Sequence, residues 1–218
     1  MYDIMKIEQD YEIYPLFSSP IYFSNVGELD VGEVSQIRGM EDSNFVADNE
    51  GFFYTSQYDI INEFPNIKNS IGEHFYKYIY NILDLDRKTS WKYSDSWVVK
   101  FPPKTSTNGL FHSHSNSLFS GIVYIDSVNK GSITFAGPKQ TGFLSMNFNG
   151  LVSRSFNIYN SIHWTFEPVD GDIIIFPSGL DHKVSINNSS SDRLSFAFNI
   201  VPVGVISSRL TSRLSYDV

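Results

Sequence analysis

From residue 90 onward the chain reads as a succession of short strands with no helix between them, and this constrains the fold more than any other feature. The segments "SWVVKF" (96–101), "LFSGIVYI" (118–125), "GSITFA" (131–136), "GDIIIFP" (171–177), "HKVSI" (182–186) and "RLSFAFNIVPV" (193–203) are rich in β-branched and aromatic residues. Gly, Pro, Asn, Asp and Ser punctuate them, as turn chemistry requires. Strands that follow one another without helical crossovers point to an antiparallel sandwich or barrel. Ile173 to Phe176 form an unbroken apolar run, the pattern of a strand buried on both faces. The polar stretch "NNSSS" at 187–191 reads as a hairpin loop.

The first third is different. In "FPNIKNSIGEHFYKYIYNILDL", Phe64, Ile67, Ile71, Phe75, Ile79, Ile82 and Leu83 recur three or four apart, which builds one buried helical stripe. Pro65 suits the first turn, where its missing N–H has no partner to lose. The expectation is one domain over 1–218, mainly β with N-terminal α. A helical cover occupies about 1–90 and a β core about 91–205, with no linker between them.

At 218 residues the chain can build one sizeable core. A net charge of −8 argues against a broad nucleic-acid surface. No stretch is apolar enough to span a bilayer, and the opening lacks a signal-peptide pattern. These features make a cytoplasmic protein without a membrane partner the expectation. A homodimer is a plausible assembly for a sandwich of this size. There are no cysteines, so any metal must be held by nitrogen and oxygen.

That restriction turns attention to "LFHSHSNSLFSG" (110–121), which carries His112 and His114. Residues two apart on an extended segment share a face, roughly 6 to 7 Å apart at the backbone, so two imidazoles can converge on one ion. His-x-His alone also suits a hydrated loop. A third histidine, His182, opens a strand after the break at Pro177 to Gly179, and eleven residues later come Arg193 and Ser195. Leu194, Phe196 and Phe198 alternate with them, which marks the strand as buried. A buried Arg needs an anionic partner, and a guanidinium fork matches a carboxylate. Asn199 falls on the same face and would line the pocket. Asn116 is a possible contact for substrate or co-substrate, although an Asn beside a turn is more often a backbone cap. His74 and His163 lack such company and read as structural or exposed. Trp97 reads as core, and Asp181 as a turn residue.

This order of motifs resembles the iron(II)- and 2-oxoglutarate-dependent oxygenases. The similarity is strongest to a subfamily with many members in marine bacteria and phages. The stretches "SDSWVVKF", "HSHSNSLFSGIVYI", "GDIIIFPSGLDHKV" and "DRLSFAFN" carry it, and "EIYPLFSSPIYFSNV" (12–26) extends it toward the start. The resemblance implies a double-stranded β-helix, or jelly roll, flanked by helices. It also implies Fe(II), 2-oxoglutarate as co-substrate, and hydroxylation of a small-molecule or protein substrate with release of succinate and CO2. Position by position, it makes His182 the distal metal ligand and Arg193 the 2-oxoglutarate anchor, with Ser195 and Tyr124 beside that anchor. The family's usual carboxylate ligand is missing. The favoured reading is an all-imidazole set of His112, His114 and His182, which suits Fe(II) acceptably; the alternative takes His114 as the first ligand, with Asn116, a poorer ligand, at the second position. Cupins share His-x-His with a distal His, so a metal- or sugar-binding sandwich without redox activity, or an assembly module, is the alternative. Arg-x-Ser after His182 favours the oxygenase.

Overall fold

The computed structural model describes residues 18–48, 51–137, 155, 157–159, 161–205 and 215–216. The start of the family-like opening (12–17) and most of residues 138–160, expected to help shape the substrate pocket, lie outside the described residues. Among the described residues, eleven strands fall into two sheets. The larger is built on β4 (Ser90–Phe101), β5 (Phe119–Asp126), β8 (Asp172–Pro177) and β10 (Arg193–Val205), in the order β8-β5-β10-β4. Its neighbours are antiparallel. The smaller sheet has the order β7 (His163–Phe166), β6 (Ile133–Ala136), β9 (His182–Val184).

The N-terminal region is more than the expected helical cover. It adds β1 (Tyr22–Asn25) beside β8, and β2 (Phe45–Ala47) and β3 (Phe53–Thr55) beyond β4. These edge strands have four, three and three residues, too short to show an alternation of period two. The last strand, β11 (Ser215–Tyr216), pairs with the end of β10.

Alternation along β10 sorts its side chains into two environments. Leu194, Phe196, Phe198 and Ile200 join the cluster on the outer face of the large sheet, against the helix. Arg193, Ser195 and Ala197 line a cavity on the inner face. The same division runs through β8, where Ile173 and Ile175 belong to the outer cluster and Ile174 and Phe176 to an inner one. The inner cluster also takes Ile133 and Phe135 from the small sheet, so the two sheets pack face to face. Gly121 lets β5 approach Phe198. A Cβ there would lie 2.2 Å from the Phe198 ring.

The expected helix is α2 (Pro65–Tyr76), preceded by the short α1 (Val31–Arg38). Buried Glu33 of α1 stabilises the start of α2 by accepting from the backbone N–H groups of Asn66 (2.7 Å) and Ile67 (2.9 Å). After Tyr76 the helix continues as a π-helical segment, Lys77–Ile82, in which Leu83 N–H reaches the Tyr78 carbonyl. The wider turn shifts the stripe. Tyr78 is fully buried and Ile82, expected inside, is 56% exposed.

The reading of "NNSSS" as a hairpin loop is corrected. It joins β9 to β10, and these lie in different sheets. Asn187 fixes the crossing, its side-chain amide donating to the carbonyls of Phe101 and Ser191, both at 2.8 Å. Among the described residues, no helix is long and apolar enough to cross a membrane.

Candidate metal centre and co-substrate pocket

The mouth between the sheets is assembled by one pair of backbone hydrogen bonds. His112 N–H donates to the His182 carbonyl (3.0 Å) and His182 N–H to the His112 carbonyl (2.8 Å). This bridge ties the loop before β5 to the small sheet. Two residues on, His114 N–H donates to the Ser178 carbonyl (2.8 Å). The result brings one ligand nitrogen of each of His112, His114 and His182 within 4.8 Å of the others. His182 is buried, whereas His112 is exposed at the rim.

Two of the three rings are held in a defined tautomer. His182 Nδ1 faces the Leu180 carbonyl at 3.1 Å, and His114 Nδ1 faces Asn199 Oδ1 at 3.0 Å. Each acceptor calls for Nδ1–H, which leaves the Nε2 lone pair for a metal. Burial, reinforced by His112, pushes the His182 pKa down to about 3. Burial also lowers those of His112 and His114. All three rings are therefore neutral at neutral pH, the form that ligates metals.

Behind them lies a cavity of about 230 Å³ whose walls include Tyr124, Arg193 and Ser195. Register explains their meeting, since Ser195 pairs with Tyr124 across the β10–β5 ladder. Arg193 is 2% exposed and its Nε has no hydrogen-bond partner. Its guanidinium lies 4.5 Å from the Phe101 ring centroid, and among the described residues no carboxylate pairs with it. Burial lowers its pKa, against the opposing influence of Tyr124. Burial likewise raises the pKa of Tyr124, which keeps its hydroxyl a donor. A buried cation without a counter-charge leaves a place for an anionic ligand.

Several expectations are corrected. Asn199 does not line the cavity. It sits behind His114 and also accepts from Ser120 Oγ at 2.7 Å. Asn116 is exposed and is not among the residues that line the cavity; its side chain donates to Asp95 Oδ2 on β4 (3.1 Å). Trp97 is cavity wall rather than core, packed on His114 at 6.0 Å between ring centroids. As expected, His163 is exposed, stacking on Phe111, and His74 is structural, buried against the Tyr22 hydroxyl at 2.8 Å. Missed by sequence reasoning were Phe52, Tyr54 and Tyr58 in the outer wall. Also missed was the chain Ser117–Ser178–Ser120 that ends on Asn199. Serines and tyrosines in loops and short strands carry no spacing signal.

Fold and site together define a two-sheet β protein with three clustered imidazoles that could hold a metal ion, backed by a buried guanidinium. Residues 95–199, which contain His112, His114, Tyr124, His182, Arg193 and Ser195, match the family described as "Putative 2OG-Fe(II) oxygenase". This segment, a little under half of the chain, is similar to the 2OG-Fe(II) oxygenases. Similar solved structures share the jelly-roll fold at low identity. The non-heme alpha ketoglutarate dependent epimerase SnoN from nogalamycin biosynthesis has a TM-score of 0.55 at 15% identity, covering 84% of this chain and 78% of that one. HygX from Streptomyces hygroscopicus has a TM-score of 0.53 at 11% identity, covering 91% and 93%. EvdO2 from Micromonospora carbonacea var. aurantiaca has a TM-score of 0.52 at 13% identity, covering 88% and 91%. No curated protein sequence matches the chain significantly.

Proposed function

We propose that the chain is a dioxygenase in which His112, His114 and His182 hold Fe(II), and Arg193, Ser195 and Tyr124 hold 2-oxoglutarate, for hydroxylation of a third molecule. The observation that carries this reading is one cavity with three neutral imidazoles at its mouth and an unpaired buried arginine at its inner end. The fit is chemical as well as spatial. Neutral nitrogen donors suit Fe(II), and a fork of N–H donors suits a carboxylate. HygX is described with nickel and 2-oxoglutarate bound, and SnoN with Fe3+ and alpha ketoglutarate, which supports the same pair here.

When bound, iron and the 2-oxo acid supply the oxidation that places one oxygen atom of O2 in a substrate C–H bond and the other in succinate, with release of CO2. The chain's own residues do the positioning. Leu180 and Asn199 fix two ligand rings before any metal arrives, and this lowers the cost of organising the site. Arg193 offers two parallel hydrogen bonds to the far carboxylate, and Ser195 and Tyr124 add neutral ones. Phe176, Val184 and Ile122 keep water from the inner cavity, where the guanidinium–carboxylate attraction is strongest. Reduced iron and 2-oxoglutarate are both supplied inside cells, so the cytoplasm is the proposed location.

The test is an anaerobic calorimetric titration with Fe(II), followed by 2-oxoglutarate. Stoichiometric metal binding and metal-dependent binding of the 2-oxo acid are expected, then succinate release on admitting O2. A metal-loaded protein that ignores 2-oxoglutarate would sink the oxygenase reading and leave a plain metal-binding jelly roll.

A further inference from the structure

The cavity is chemically polarised along its length. Its inner end carries Arg193, the only Lys or Arg among the described residues that line it. Its outer wall is aromatic. Tyr54 and Tyr58 approach with centroids 5.8 Å apart and planes at 46°, and Tyr58 and Trp97 follow at 5.9 Å and 54°. Trp97 then packs on His114, so the three rings form a continuous angled wall that ends at the metal ligands. Tyr58 is 51% exposed, which places this wall at the entrance.

Carboxylates accompany the rings. Asp95 lies two residues before Trp97 on β4, hence on the same strand face, and pairs in register with Asn199, the residue that holds His114. Asp48 stands at the turn between β2 and β3, where its N–H donates to the Phe52 carbonyl (2.8 Å) and its carbonyl accepts from Gly51 (3.1 Å). The negative charges of both act on Tyr58, that of Asp95 also on His114 and that of Asp48 on His112, so both lie close to these rings. Asp181 acts on His112 from the small sheet. The nearby ammonium of Lys183 lies over Phe111, outside the cavity lining.

Angled aromatic faces with carboxylates behind them attract cations, since the ring quadrupole and the full charges act in the same direction. An anionic substrate would meet repulsion there, and a purely apolar one would gain nothing from the carboxylates. We propose that the substrate carries an alkylammonium group, held by Tyr54, Tyr58, Trp97 and Asp95 at the mouth while the carbon to be oxidised faces the metal ligands. The inference rests on the oxygenase reading for its chemistry, though its binding step can be measured separately.

The experiment titrates choline and its uncharged isostere 3,3-dimethylbutan-1-ol into the protein by calorimetry. It is run both metal-free and loaded with Fe(II) and 2-oxoglutarate without oxygen. Choline should bind about five- to thirty-fold more tightly than the isostere, the ratio that a cation–π contribution of roughly 1 to 2 kcal/mol produces. Tyr58→Leu, at an exposed position that the fold tolerates, should remove most of that preference. Tyr58→Phe should keep it, and Asp95→Asn should reduce it. A lysine-containing peptide run beside free choline distinguishes a side-chain source of the ammonium from a small molecule. Equal affinity for choline and the isostere would overturn the proposal, as would unchanged preference in Tyr58→Leu or no saturable binding of either ammonium probe. Failure of Fe(II) or 2-oxoglutarate to bind is read in separate titrations and bears on the oxygenase reading alone.

Discussion

The two faces of β10 are equally buried and chemically opposite. Toward the helix stand Leu194, Phe196, Phe198 and Ile200; toward the small sheet stand Arg193, Ser195 and Asn199, each no more than 4% exposed. The outer face is satisfied by dispersion and exclusion of water. The inner face is satisfied only in part by the protein, because Asn199 has partners and Arg193 Nε has none. The difference teaches where this fold stores stability and where it stores binding capacity. One strand supplies both because the period-two alternation separates them.

That separation can be broken from either side. The largest expected effect is on the outer face. Phe198→Ala empties a fully buried site and should cost about 3 to 5 kcal/mol of stability, read as a shifted urea midpoint. Arg193→Ala should act in the other currency. Losing a partner from a buried charged pair costs about 3 to 5 kcal/mol, equivalent to roughly two to four decades of 2-oxoglutarate affinity, while calorimetry still finds the metal bound. Arg193→Lys should restore only part, lacking the planar fork. If Arg193→Ala kept parent-like 2-oxoglutarate affinity, the inner face would not be a binding face.

Asn199→Ala removes the acceptor that orients His114 and should weaken metal binding by about ten- to a hundredfold. His182→Ala should abolish stable metal binding outright. It should also lower the stability of the metal-free protein, because His182 packs on Phe176 at 4.9 Å and is 3% exposed.

A smaller effect comes from pH. The His182 pKa is about 3 in the folded protein against an ordinary 6.5, so the unfolded chain takes up its proton first as pH falls. Stability of the metal-free protein is therefore complete above about pH 6.5 and is lost progressively below it, by up to about 1.4 kcal/mol per pH unit for this group. His74, His112 and His114 are lowered by burial and push the same way. Thermal melts from pH 7.5 to 5 should show the decline, and His182→Asn should flatten it. The smallest effect is expected from Asn116→Ala. Its side chain is bound to Asp95, so metal affinity should stay at the parent level, whereas a marked loss would revive the reading with Asn116 as a ligand.

Much of this was legible in the sequence. Six of the strands, the long helix, the three histidines and Arg-x-Ser are written in local pattern, because alternation, helical spacing and turn residues act over a few neighbours. The sequence favours His112, His114 and His182 as the metal set, but the bridge that brings His112 to His182 joins residues seventy positions apart and is not written in local pattern.

The sequence by itself determined a β protein whose buried strand carries an arginine in an apolar setting, and it determined which nitrogen donors exist, since no cysteine competes. Only the folded arrangement places Asn199 against His114 instead of in the pocket lining, pairs Asn116 with Asp95, and joins Trp97 to Tyr54 and Tyr58. The physical reason is that alternation fixes which side of a sheet a residue faces. What it meets there depends on the strands and loops that close over it, and these are set by packing between distant segments.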